Sequence, residues 1–333
     1  MSTLSSGALT LVDLAKRIDP DGKIAEIAEM LGQNNEILQD MPFYEGNMTA
    51  GHRTTVRTGL PSVAWRLINQ GVSPSKSTTA QVDEATGMLE AWSEVDVELA
   101  NLSGNVAAFR ISEAKAFIEA MGQEMASTLF YGNSGADPEE FNGLAVRYSS
   151  LSAANGQNIV SGGGSDSDLS SVWLICWGEH SVHGIYPKGS KAGLSHEDLG
   201  KGVVETTAGI AGSRMLAYRD QFIWKCGIAL RDWRYAVRIA NLDISALVAK
   251  TSAADLIELM IKSIHRIPGF SMGKAAFYMN RTCHQQLDIQ RRDDVQSGGQ
   301  LSYENVDGKP VLNFRGIPVR KVDALTQSES AVS

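Results

Sequence analysis

Three side chains stand close enough together in this sequence to suggest metal chemistry. Cys176, His180 and His183 are soft or borderline ligands within eight positions, and with a fourth ligand they could hold zinc. That set would serve a cytosolic metal-dependent enzyme. The spacing is not that of a Cys-x-x-Cys knuckle, however, and no second ligand pair accompanies it. A small buried cysteine with two surface histidines is the simpler reading. Phosphate chemistry is suggested twice and fails twice. Gly162-Gly163-Gly164 is followed by Ser-Asp-Ser-Asp, whose acids would repel a phosphate, and fits a flexible surface loop. Gly269 to Lys274 is one residue short of a Walker loop and ends on Ala275, where a magnesium-binding hydroxyl is needed. No HExxH or paired-cysteine motif occurs, and neither a catalytic residue, a cofactor nor a resident metal is expected, so the chain is read as no enzyme.

The remaining pattern is one of charged faces. Gly87 to Leu99 alternates strictly, with Leu89, Ala91, Ser93, Val95, Val97 and Leu99 on one side and Glu90, Trp92, Glu94, Asp96 and Glu98 on the other. That is a strand with an acidic face. His52 to Thr58 alternates too, with Arg53, Thr55 and Arg57 together, and so predicts a strand with a basic face. Pro61 to Ala80 between them is rich in Ser, Thr, Gly and Pro, and predicts a long loop at the far end of a hairpin. Arg53 and Arg57 are then expected to meet Glu94, Asp96 or Glu98, across the ladder or between subunits, where such pairs set register and partner choice more than stability. A solvated charged face is the alternative reading.

The element that positions these strands is a helix at Ile111 to Gly132. Phe117, Ile118, Met121, Met125 and Leu129 recur three and four residues apart and form its packing face. Ser112 is the expected N-cap, and Gly132-Asn133 the expected left-handed stop. Upstream, Leu11 to Ile18 and Ile24 to Leu38 have helical spacing around the turn Asp19-Pro20-Asp21-Gly22, which predicts an arm whose apolar faces cover its own core or a neighbouring subunit. Downstream, Ser171 to Lys188 predicts a buried strand, a turn and a short strand. Gln221 to Asp243 predicts two β runs flanking Arg231-Asp232. A helix at Ala253 to Ile267, a strand at Lys274 to Met279, a helix at Cys283 to Ile289, a turn at Gly308-Lys309-Pro310 and a final strand pair at Val311 to Phe314 and Ile317 to Arg320 complete the expected elements.

Composition is that of ordinary globular material: 333 residues, 43% hydrophobic and 20% charged. The apolar runs are far short of the ~18 residues of a membrane span, and the first residues lack the pattern of a secretion signal, so the chain is expected to be kept in the cytosol. Cys176, Cys226 and Cys283 are too few for a disulfide framework. A net charge of -8 argues against binding nucleic acid by neutralising phosphates, but not against enclosing it.

The run WGEHSVHGIYPKGSKAGLSHEDLGKG, followed by YRDQFIWKCGIALRDWRYAVRIANLD, resembles the major capsid proteins of short-tailed double-stranded DNA bacteriophages. These share the Hong Kong 97-type capsid fold of tailed phages and herpesviruses. The resemblance implies an α+β fold with an N-terminal arm at 1–46, an extended β-hairpin loop at 47–100, a peripheral domain with a spine helix (111–132) at 101–247, and an axial α/β domain at 248–333. The axial domain is placed late because AFYMNRTCHQQL and GIPVRKVDAL, which in many members precede the long peripheral strands, here follow them. The implied function is self-assembly, through hexamers and pentamers, into an icosahedral shell around the double-stranded DNA genome. Scaffolding, portal and decoration proteins would be partners, sequence-specific DNA binding and membranes would play no part, and assembly in the bacterial host cytoplasm would end in the virion capsid. An encapsulin-like compartment has the same fold and is the alternative within it. Some relatives cross-link their subunits through a lysine on the extended loop. Here Lys76 is the lysine so placed, and it is read as a solvated charge.

Overall fold

The computed structural model describes residues 9, 11–16, 32–205, 213–250, 254–293, 301–306 and 309–333. In chain order the first elements are α1 (Leu11–Lys16), α2 (Ile37–Asp40), β1 (Phe43–Glu45), β2 (Gly51–Gly59), β3 (Thr78–Ala85), β4 (Gly87–Asp96), α3 (Val97–Leu102), α4 (Val106–Tyr131) and α5 (Leu144–Arg147). Then come β5 (Ile159–Ser161), β6 (Leu169–Trp177), β7 (Val182–Tyr186), β8 (Leu194–Glu205), β9 (Arg214–Leu230), β10 (Ala236–Asp243), α6 (Ile244–Ala249) and α7 (Leu256–Ile264). The chain closes with β11 (Lys274–Met279), α8 (Arg281–Asp293), β12 (Leu301–Val306), β13 (Lys309–Phe314) and β14 (Ile317–Lys321). Most of the arm helix expected from Ile24, and part of the turn at Gly308, lie outside the described residues. No described helix is long and apolar enough to cross a membrane.

The chain divides into two compact units. The first takes the described parts of Met1–Asn35 with Met88–Ala126 and Gly193–Lys225. Its core gathers Leu14, Val95, Leu99, Ala100 and Phe109, with Leu9, Val106 and Tyr218 packed against them. The alternation that predicts a strand through Leu99 stops earlier, because the Asp96 carboxylate accepts the Glu98 N–H and caps α3. The long helix likewise starts before Ser112. Gly104, at φ 74°, turns the chain, and Asn105 Oδ1 accepts the Ala108 N–H, so α4 begins at Val106. Ser112 is inside the helix, its hydroxyl donating to the Phe109 carbonyl. β8 and β9 pair from Leu194↔Trp224 to Glu205↔Arg214, with a shift between Asp198 and Gly200. Arg110 ties α4 to this ribbon, donating to Asp198 at 2.6 Å and to Asp220 at 2.8 and 3.2 Å.

The second unit takes Glu36–Gly87, Ser127–Ala192 and Cys226–Ser333. Its strands run in the order β12-β13-β14-β11-β6-β7-β9, with β1 on β7, β10 on β6 and β5 on β10. Every residue of β6 is buried, as its apolar run from Val172 to Trp177 requires of a strand covered on both faces. β7 continues from β6 in parallel, and β1 lies parallel on β7. α7 is capped by Asp255 and presents Leu256, Ile257 and Met260 to the core. Gly132 ends α4, but not in the expected left-handed conformation, which neither it nor Asn133 adopts. A side chain at Gly132 would run into the Phe141 carbonyl, and that close approach is what demands glycine. The last residues are tied to the sheet and to α4 by Glu329. Glu329 Oε2 accepts from Arg238 Nη2 at 2.8 Å and from the Ser171 hydroxyl, and Oε1 accepts from the Tyr131 hydroxyl at 2.5 Å.

Candidate assembly surfaces

β2 pairs with β3, not with the acidic strand β4. The register runs antiparallel from Gly51↔Ala85 to Gly59↔Thr78, and the two strands form a sheet of their own. β4 pairs instead with β9. This corrects the expected hairpin, and the reason is physical. All of β3 except Glu84 is exposed, so no buried face imposes the apolar alternation by which a strand is recognised. The expected charge pairs change accordingly. Arg53 Nε and Nη2 donate to the two carboxylate oxygens of Asp83, both at 2.6 Å, and this holds the Asp83 carboxyl below its ordinary range. Arg57 stands opposite Thr79. Asp96 caps α3, Glu98 is exposed in its first turn, and Glu94 lies on β4. Within one chain the five residues do not form the expected cross-strand set.

Between the strands, residues 60–77 carry a cluster of exposed apolar side chains. Leu60, Val63, Trp65, Leu67 and Ile68 are all largely exposed, and Trp65 is wholly so, at 104%. A two-stranded ribbon has no core of its own in which to bury such side chains. The loop keeps its form through local bonds. The Ser75 hydroxyl donates to the Ser62 carbonyl at 2.7 Å, Gln70 N to Leu67 O at 3.2 Å, and Asn69 takes φ 66°. Lys76 is among the exposed residues of this segment.

Side-chain bonds hold the root of the ribbon. Asn47 brackets Arg53, its Oδ1 accepting the Arg53 N–H at 2.7 Å and its Nδ2 donating to the Arg53 carbonyl at 2.8 Å. Glu84, 5% exposed, receives Arg147 Nη1 and Nη2 at 2.5 and 2.6 Å. Neither this pair nor Asp83 stands out in the sequence, because the partners are far apart in the chain and belong to no periodic face.

Cys176, His180 and His183 do not assemble into a site. Cys176 is wholly buried on β6, where burial pushes its thiol up. His180 is exposed, its Nδ1 3.3 Å from Arg231 Nη1. His183 is buried on β7 with Nδ1 3.3 Å from the Gly178 carbonyl. Contrary to the simpler sequence reading, only one of the two histidines is on the surface. Among the described residues, the three ligand-type groups found within 4.8 Å of one another are Asp166, Asp168 and Asp243. Two of these already serve the backbone, Asp168 accepting from Ser245 N and Asp243 from Ala246 N.

On the α4 face, Met121, Met125 and Leu129 are buried as their spacing predicts. Phe117 is half-buried and stacks on Phe222, ring centroids 6.0 Å apart. Ile118 departs from the expected face and is 45% exposed.

Residues 19–333 match the family described as major capsid protein GP7. The chain belongs to that family. Over its whole length this capsid protein is also similar to a chain of bacteriophage Epsilon15, at 32% identity and a TM-score of 0.77, covering 99% of that chain. It is a phage capsid shell protein of the Hong Kong 97-type fold, in which copies assemble into the oligomers of an icosahedral capsid. More distant likenesses include a chain of Microbacterium phage Oxtober96, at 9% identity and a TM-score of 0.44 over 69% of this chain and 98% of that one. The SrpI encapsulin of Synechococcus elongatus scores alike, at 12% identity and 0.44 over 70% and 96%. A comparison with curated proteins gives no match.

Proposed function

We propose that the shell encloses a double-stranded DNA genome and that each subunit grips a neighbour through the tip of its β2–β3 ribbon. The observation that carries the grip is the exposed cluster Leu60, Val63, Trp65, Leu67 and Ile68 at the end of a ribbon that forms a two-stranded sheet of its own. Burying such side chains against a second copy removes apolar area from water, at about 25 cal/mol per Å². Repeated around a closed symmetric shell, contacts that are weak one by one hold together. Arg53 and Arg57 on one copy facing Glu94, Asp96 and Glu98 on the next would set the register of the grip. A net charge of -8 supports a lining that lets packaged DNA slide.

In this reading 1–46 is the arm, 47–100 the extended loop, 101–247 the peripheral domain and 248–333 the axial domain. The β2–β3 ribbon within the second range and α4 within the third support it. Assembly proceeds in the bacterial host cytoplasm with scaffolding and portal proteins, and decoration proteins bind outside, while the chain itself acts as a structural protein without a cofactor. The test is negative-stain microscopy of the expressed protein with its scaffold, followed by nuclease treatment of particles recovered from infected cells. Closed shells holding nuclease-protected double-stranded DNA are expected. Particles that hold protein cargo instead would overturn the DNA reading, and persistent monomers would overturn the grip.

A further inference from the structure

We infer that the root of the β2–β3 ribbon is an acid-sensitive latch, in which His52 and His183, packed together as neutral rings, hold the ribbon to β1 and β7 and release it when they take up protons.

The geometry places two imidazoles where the ribbon leaves the sheet. Gly46 N donates to the Tyr186 carbonyl at 2.8 Å, Lys188 N to the Met48 carbonyl at 3.1 Å, and Thr86 N to the Ala50 carbonyl at 3.2 Å. The chain thus passes from β1 across the end of β7 into β2 along a fixed path. Gly51, first residue of β2, lies so close to the Glu84 carbonyl that no side chain fits between them. Directly after it, His52 points its ring at His183, centroids 6.1 Å apart at 78°, while Tyr44 from β1 meets the other side of His183 at 5.0 Å and 85°. His183 is 2% exposed. Both ring nitrogens of His52 are buried without a hydrogen-bond partner. A ring in that position is packed as an apolar group, and a proton on it would have neither water nor an acceptor to meet.

The charges around the rings do not compensate such a proton. Arg231, at the end of β9, stands near both, its Nη1 held by the Glu179 carbonyl at 3.0 Å. Glu84 on β3 is the nearby anion for His52, but the Arg147 guanidinium from α5 already forks onto it. Glu179 acts weakly on His183, and each ring would repel a charge on the other. Burial, against the hydrogen bond to the Gly178 carbonyl and with Arg231, pushes His183 down to about 4, and burial with Arg231, against Glu84, pushes His52 down too.

The sign follows from linkage. A released root solvates both rings and binds protons near the ordinary imidazole value, whereas the latched root does not. As pH falls below about 6.5, the ratio of latched to released ribbon therefore drops by about tenfold per pH unit for each histidine, down to the depressed values. Neutral pH holds the ribbon in one direction and acid frees it.

Hydrogen exchange of the full-length protein in its assembled shell, read by mass spectrometry and corrected for the intrinsic pH dependence of exchange, tests the latch. Protection of peptides covering Gly51–Gly59 and Thr78–Ala85 is expected to fall at least about tenfold between pH 5.5 and 4.5. Peptides from Leu169–Trp177 should hold theirs. In His52→Gln or in His183→Gln the ribbon should lose the share of this pH response that the replaced histidine supplies, and in the double variant all of it. Should the variants fail to fold, C2–H exchange of the histidines in the unaltered protein gives each ring's proton affinity directly. Two depressed values whose titration coincides with ribbon opening support the latch. Ribbon protection that stays flat from pH 7 to 4, a pH response unchanged in a folded His52→Gln protein, or rings that titrate at the ordinary value would overturn it.

Discussion

Arg147 places both terminal nitrogens of its guanidinium on the two carboxylate oxygens of Glu84, at 2.5 and 2.6 Å, and thereby fastens β3 to α5. The same guanidinium also donates to the Asn142 and Ile228 carbonyls, at 3.1 and 3.4 Å. A ribbon of two strands is marginal on its own, and this is the ion pair that ties its root to the body of the second unit.

Removing one partner should therefore cost more than the pair itself contributes. Glu84→Gln or Arg147→Met leaves a largely buried charge uncompensated, and about 3 kcal/mol of destabilisation is expected, at the lower end for buried pairs. Chemical denaturation of the subunit reads the loss. Loss of hydrogen-exchange protection in Thr78–Ala85 ahead of global unfolding would show that the ribbon root fails first.

Glu329 makes the corresponding bond for the last residues of the chain. It joins Arg238, Ser171 and Tyr131, and nearby Asn241 exchanges two hydrogen bonds with Val332 at 2.8 and 2.9 Å. Glu329→Ala strands the Arg238 charge, which is 5% exposed, and is expected to cost about 3–5 kcal/mol. Limited proteolysis should then cut after Val322 in the variant at concentrations that leave the unaltered protein whole. Equal resistance of the two proteins would show that the segment is held by other contacts.

Trp65 separates folding from assembly. Because the side chain is wholly exposed, Trp65→Ala should leave subunit stability unchanged to within about 0.5 kcal/mol. A tryptophan at the centre of an interface commonly carries about 2 kcal/mol or more of binding, so shell assembly should need a markedly higher protein concentration. Light scattering against concentration measures the difference. An unchanged assembly threshold would place the grip elsewhere.

His284 on α8 sets a pH dependence of stability. Burial, together with Lys321 and against Asp288, pushes it down to about 4, while an unfolded chain takes up the same proton near 6.5. Between these values the unfolded state binds more protons, so acid favours unfolding. The penalty is absent above about 6.5, grows as pH falls and is complete below about 4. His284→Gln should flatten this part of the acid limb in thermal unfolding followed from pH 7 to 4. A curve parallel to that of the unaltered protein would mean that His284 titrates alike in both states.

What the sequence determined is what local pattern and continuous burial impose. Met121, Met125 and Leu129 at helical spacing place α4, the apolar run of β6 places a covered central strand, and the string from Trp177 to Asp243 points to the capsid lineage. Tertiary structure alone decided the partners. β3 is wet on nearly every side and shows no alternation, so only its pairing with β2 reveals it as a strand. Glu84 with Arg147, Glu329 with Arg238, and His52 with His183 are brought together by the path of the backbone. Their meeting depends on where the whole chain closes on itself, a quantity that no window of sequence contains.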